Sequence, residues 1–251
     1  MIKDQNPVDH SGTTLLHLIA KNGHEDLCKI MMSKVLNKNP VNQNGNTPLH
    51  WAANNGHTSI AKLIMEQSWN INPKNLKGET PFHAAVNNGN FKLCAMILER
   101  VTEKNPKNTK GETALHVAAY HGHLKICKLI MERSEEKNPK DENGMTPLHW
   151  AAINGKEEIW KLISKEVKDK NPKDHEGRTP LHDAAEFGHS KVCKLILDAT
   201  KNWYPKTSKG LTPLELANQK GHHNIKKLIL GAKKKKIIHD QQSDVGYTLT
   251  I

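Results

Sequence analysis

Long apolar runs are absent from this chain of 251 residues. Nothing in it approaches the ~18 apolar residues of a membrane span, and Met1-Ile2-Lys3-Asp4-Gln5 lacks the apolar stretch of a signal peptide. The expectation is a cytoplasmic protein, or a nuclear one, with no membrane contact. Aromatic residues are scarce, at 4%, and there are four cysteines. The motifs of common catalytic sites are missing too: no Gly-x-x-x-x-Gly-Lys-Ser/Thr loop, Gly-x-Ser-x-Gly elbow, His-Glu-x-x-His or Cys-x-x-Cys occurs. No catalytic residue, metal ligand or cofactor is assigned, and the expectation is a protein that is not an enzyme.

What the chain does have is a beat. Versions of Thr146-Pro147-Leu148-His149-Trp150-Ala151-Ala152 begin at Thr14, Thr47, Thr80, Thr113, Thr146, Thr179 and Thr212, spaced 33 residues apart. One glycine precedes each Thr (Gly12 through Gly210) and another follows each alanine segment (Gly23 through Gly221). A fixed period of this size marks a stacked-repeat architecture. Within one unit, Asp141-Glu142-Asn143-Gly144 has the residue pattern of a type I turn. Thr146 offers a hydroxyl to a helix start, Pro147 suits the first helical position, and Gly155 ends that helix after about two turns. A second helix starts near Glu157, with Ile159, Trp160, Leu162 and Ile163 as its buried stripe. Asn171-Pro172-Lys173 is an extended link to the next unit.

This turn-helix-turn-helix unit resembles the ankyrin repeat. The resemblance rests on Gly-x-Thr-Pro-Leu-His-x-Ala-Ala-x-x-Gly-His, almost whole at Gly45 to His57 and at Gly177 to His189, and covers about Asp4 to Leu230. It implies an all-α ankyrin-repeat solenoid. The expected organisation is one domain over 1–231, with seven repeats at about 9–41, 42–74, 75–107, 108–140, 141–173, 174–206 and 207–231. A rod of that kind would be about 60–70 Å long. A basic tail, 232–251, follows; it is read as flexible, as the start of a further region, or as a strand docked by β-addition. One departure from the family stands out: Glu-Lys-Asn-Pro elements replace its usual Gly-Ala-Asp-like turn, so the second helix is expected to run on by up to a turn. By resemblance, Asn39, Asn105 and Asn138 stand where some ankyrin proteins are hydroxylated.

Position in the repeat decides how other residues are read. Cys28, Cys94, Cys127 and Cys193 share one site on the second helix, so they are core side chains rather than converging ligands. Of sixteen histidines, six follow the Thr-x-Leu element and five follow the second glycine. These are read as scaffold, bonding helix ends to the adjacent repeat. His121 is off-beat. The first repeat's Leu15, Leu16, Leu18 and Ile19 are read as a face without polar capping, and the seventh, with Glu215, Asn218 and Lys226, as a cap.

By resemblance, a partner would dock on the turn tips and first helices, on residues the scaffold does not need. Trp51 and Trp150 follow the histidines of repeats two and five, and Tyr120 and Phe187 stand just before or beside the second glycine of repeats four and six. Exposed aromatics of this kind anchor interfaces; the alternative for the tryptophans is packing against the adjoining turn. His121, Met145 and Arg178 complete the off-pattern set. Lys107, Lys140 and Lys173 follow the prolines and are placed to steer an acidic surface of a protein partner. The formal charge of +11 also permits nucleic acid or another polyanion as the partner, although no aromatic platform is interleaved with the basic residues. A mechanical spacer within a larger protein is the third reading. The domain is expected to be monomeric.

Overall fold

The computed structural model describes residues 6–200 and 202–232. The tail from 233 to 251, expected to be flexible, the start of a further region or a docked strand, lies outside the described residues. Those described form fourteen helices, with no strand beyond the isolated bridges Val8–Thr14 and Lys107–Thr113. This is an all-α repeat solenoid. Two compact units divide between Glu136 and Lys137.

In the first unit the short first helices are Leu15–Asn22, Pro48–Asn54, Pro81–Asn88 and Ala114–His121, and each packs on the next. Behind them stand Glu25–Lys34, Thr58–Gln67, Phe91–Arg100 and Leu124–Arg133. The second unit repeats the scheme with Pro147–Ile153, Pro180–Glu186 and Pro213–Gln219, backed by Glu157–Glu166, Ser190–Ala199 and a helix at 223–232. Fully buried alanine pairs such as Ala52/Ala53 and Ala184/Ala185 set the close approach between first helices. The second helices contribute the larger core residues, Ile60, Leu93, Ile126, Ile159 and Val192. All four cysteines lie in this core, and burial pushes their thiols up to about 11 for Cys28 and about 12 for the other three.

Polar side chains fix the register between repeats. At six of the turns one Asn or Asp closes the loop, as where Asp141 Oδ1 accepts the N–H groups of Asn143 and Met145, both at 2.9 Å; at the last, Thr207 Oγ1 accepts the Leu211 N–H at 3.1 Å. Successive tips are then tied by backbone bonds, Gln43 N–H to Ser11 O (2.9 Å), Leu76 to Asn44 (3.0 Å) and Thr109 to Lys77 (2.9 Å). The first-helix histidines work in two directions. His50 Nδ1 accepts the Thr47 N–H (3.0 Å), so Nε2 keeps the ring proton and donates it to Glu79 O in the next repeat (3.1 Å). His17 and His182 do the same toward Asn46 O and Leu211 O. After the second glycine, His57, His189 and His222 reach back to Lys21 O, Ile153 O and Glu186 O, capping the preceding helix. His123 departs from this set: its Nε2 is buried without a hydrogen-bond partner.

Two expectations need correction. The second helices do not run on: six of them end after ten residues, and Val35, Ser68, Val101, Ser134, Val167 and Thr200 are already extended. At two of these ends the lysine of a Lys-Asn-Pro element closes the helix. Lys38 Nζ donates to Met32 O and Val35 O, and Lys104 Nζ to Leu98 O and Val101 O, so an ammonium satisfies the orphan carbonyls of the helix end. Trp203 Nε1 takes over this role toward Leu197 O and Thr200 O. The asparagine is also in use: Oδ1 of Asn39, Asn105 and Asn138 accepts the N–H of Leu49, Leu115 and Leu148 in the first turn of the next helix, at 3.1–3.2 Å. The second correction concerns the first repeat, where Leu16 and Ile19 are buried and only Leu15 and Leu18 are exposed.

Candidate partner-binding surface

The residues that follow the first-helix histidine form a strip along the helices, and the turn tips rise beside it. In the first unit this strip is Leu18, Trp51, Ala84 and Val117. Trp51 is half-buried, with its indole edge-on to His17 (5.4 Å between centroids) and the Lys21 ammonium 5.6 Å from the ring centre. It therefore serves the scaffold and the surface at once. A groove of about 680 Å³ opens over the strip, lined among others by Trp51, Ala84, Val117, Glu79 and Glu112. Tyr120 lies at the far end of the Ala114–His121 helix, 44% exposed, with its ring edge-on to His121 at 4.9 Å; His121 in turn stacks on His123 at 5.6 Å. Neither Tyr120 nor His121 lines the groove. Lys107 is exposed and bridged through its backbone to Thr113.

The second unit carries the remaining sequence-predicted residues. Phe187 is 53% exposed at the end of the Pro180–Glu186 helix. Trp150 and Met145 are half-buried. Lys140 and Lys173 are both exposed, and Lys140 Nζ donates to Lys173 O at 3.1 Å. Arg178 is the departure from expectation. As an off-pattern tip residue it reads from sequence as a partner contact, yet its guanidinium is held inside the chain. Nη2 and Nε bond Asp183 Oδ1 at 2.8 and 3.1 Å, and Nη2 also bonds Glu186 Oε2 at 2.6 Å. Lys220 adds a second cation 3.5 Å from Glu186.

Asp183 accounts for this cluster. It occupies the strip position that Leu18, Trp51, Ala84, Val117, Trp150 and Leu216 fill elsewhere, and it is 2% exposed. Burial pushes its carboxyl up to about 7 even against the opposing pull of Arg178. For Glu186 burial also acts upward, but the bonds from Arg178 and Lys220 outweigh it and hold the group below its usual range. One charged residue at a strip position has thus recruited a tip arginine as its counter-ion. Asp183 is the one acidic residue at this position of the repeat; only the folded chain shows that Arg178 reaches it.

The comparison with known families fits this geometry. A model of ankyrin repeats, three copies per match, fits residues 1–75, 68–141, 101–174, 127–207 and 162–242. The chain belongs to the ankyrin-repeat family. No curated protein matches it. Ankyrin repeats generally mediate protein–protein interaction, and the family is typically non-enzymatic. Among the described residues, no helix is long and apolar enough to cross a membrane, and no three His, Cys, Asp or Glu side chains gather as a metal site.

One exposed aromatic of this ankyrin-repeat chain lies outside the set expected from sequence. Trp69, in the link after the second helix of repeat two, is 97% exposed, and its neighbour at the equivalent site, Leu36, is exposed as well. The same site holds Thr102, Glu135 and Lys168 in later repeats. An indole where the scaffold accepts a threonine or a lysine was the available signal.

Proposed function

We propose that this ankyrin-repeat chain is a non-enzymatic scaffold that binds another protein on the face formed by its turn tips and first helices. The observation that carries the reading is the exposure of Tyr120 and Phe187, at 44% and 53%, in a chain with only 4% aromatic residues. Large rings left in water at sites the repeat does not need are typical interface anchors. In this reading Tyr120, Trp150 and Phe187 anchor the partner, with Trp51, His121 and Met145 as flanking contacts. Lys107, Lys140 and Lys173 steer an acidic surface of the partner, acting over a Debye length of roughly 8 Å at physiological salt. Arg178 contributes by shaping the surface through its bonds to Asp183 and Glu186. The chain acts as a monomer in the cytoplasm or nucleus.

The test is capture from cell extract with the wild type beside Tyr120→Ala/Trp150→Ala/Phe187→Ala, at low and near-physiological salt. The triple variant must first match the wild type in helical signal. A protein retained by the wild type in salt and lost by the variant is the expected result. Recovery of nucleic acid that salt removes, with the variant unaffected, would move function to the basic surface. Identical capture by both proteins would leave the spacer reading in place.

A further inference from the structure

The groove of the first unit has a chemistry specific enough to name the kind of segment that fits it. Its volume of about 680 Å³ lies within the rough 300–1,000 Å³ range of ligand clefts. The floor is Trp51, Ala84 and Val117, all half-exposed. Ala84 is the smallest of the three, so the floor is notched between the indole and the valine. Along the tip wall stand Glu79 and Glu112, one repeat apart. Asn75 Nδ2 donates to Glu79 Oε2 at 3.4 Å, and Asn108 Nδ2 to Glu112 Oε2 at 2.8 Å. These bonds tie one oxygen of each carboxylate to an asparagine amide, and both glutamates line the groove. Asn54 is part of the same lining, and Asn87, at its equivalent position, continues that row.

The lining also holds two cations. The ammonium of Lys21 lies over Trp51 at the repeat-one end, away from Glu112, and Lys77 stands at the exposed rim beside Glu79. The groove is therefore polar along its length, cationic toward Lys21 and anionic toward Glu112. The corresponding tips of the second unit, Met145, Arg178 and Leu211, offer no carboxylate. Asparagine amides both donate and accept, which suits the N–H and C=O groups of an extended chain. A carboxylate on the segment at the Glu79–Glu112 end would meet like charge, whereas an ammonium or guanidinium would complete a charge-assisted bond.

We propose that this groove takes a linear segment of the protein partner, seating one bulky apolar side chain over Ala84 and presenting one Lys or Arg to Glu79 and Glu112. The inference rests on the tip-and-helix face being a protein-docking face. It is compatible with steering by Lys107, Lys140 and Lys173, because those lysines lie outside the groove lining and act on the partner's surface at large.

The test is panning of displayed random dodecapeptides on the full chain, followed by fluorescence anisotropy of the best binders. Enriched peptides should pair Lys or Arg with a nearby bulky apolar residue. Their affinity should fall at least about tenfold in Glu79→Gln/Glu112→Gln, which keeps the asparagine-bonded oxygens, with unchanged thermal stability. Ala84→Leu, which fills the notch with a residue that strip positions elsewhere accept, should abolish binding. Peptides that need an open Ala84 notch but are acidic, or ignore the glutamate substitutions, would overturn this inference and leave the docking face standing. Absence of enrichment, or binding indifferent to all three substitutions, would likewise overturn this inference, whereas the docking face itself falls only if the Tyr120/Trp150/Phe187 variant captures the same protein as the wild type.

Discussion

Acidification should destabilise this protein through its first-helix histidines. In His50, His83 and His182 the imidazole is buried, and Nδ1 accepts a threonine N–H. A second ring proton would point at that donor and sit in a site stripped of water. Burial accordingly pushes all three groups from 6.5 down to about 4. The folded-state values lie below the unfolded ones, so the unfolded chain binds more protons between pH 4 and 6.5. Stability is then whole above about 6.5 and is lost as the pH falls through that window. Between pH 7 and pH 5 each histidine costs about 2 kcal/mol. Asp183 works in the opposite sense, because its folded value, about 7, lies above its ordinary 3.8; acidification relieves roughly 2 kcal/mol of its burial cost over the same interval. The net expectation is a loss of about 3–4 kcal/mol, a large share of the roughly 5–15 kcal/mol that holds a typical domain together. Urea denaturation followed by far-ultraviolet circular dichroism at pH 7, 6 and 5 measures it. The informative variant is His50→Gln/His83→Gln/His182→Gln. Glu215 already makes the same capping bond to the Thr212 N–H at 2.7 Å, so a glutamine of like length can keep the helix start. It should be weaker at pH 7 and flatter with pH, and Asp183→Asn should steepen the wild-type slope. A triple variant as acid-sensitive as the wild type would refute the assignment.

Two further outcomes follow from packing. Gly89 has φ +76°, and an added Cβ would stand 2.6 Å from His123 Cε1, whereas Gly221, at φ +75°, has nothing within 4 Å. Gly89→Ala should therefore cost at least about 2 kcal/mol and Gly221→Ala only about 1 kcal/mol, the backbone strain alone, as read from thermal midpoints; equal losses would mean that the imidazole yields freely. The four buried thiols, pushed up to about 11–12, should resist a thiol-reactive disulfide in the native protein and react together on unfolding. Reaction of any one under native conditions would contradict their place in the core.

The exposure of the proposed surface residues was only partly legible in the sequence. Tyr120 and Phe187, which are exposed, stand out in the sequence because they are off-beat, and off-beat residues on a repeat's outer face owe nothing to the core. The same rule misjudged Arg178, whose partners Asp183 and Glu186 lie five and eight positions away and meet it only when the tip folds over the helix. It also placed Trp51 and Trp150 without deciding how much of each ring is scaffold; packing of Trp51 against His17 answers that for the first. Trp69 lies outside the tips and first helices, and its exposure is a property of the link after the second helix.

The sequence by itself determined the repeat: where helices start at Thr-Pro, where they stop at glycine, which side of each helix is buried, and why four cysteines at one site of the 33-residue period cannot converge. Those features depend on local backbone preference and on spacing along one helix, which a linear chain displays in full. Only the tertiary structure decided how residues one repeat apart act together. The bond from His50 to Glu79 O, the reach of His57 back to Lys21 O, the packing of Trp51 on His17 and the approach of Lys220 to Glu186 each depend on groups brought within a few ångströms by stacking. Such distances are set by packing between repeats rather than by order along the chain.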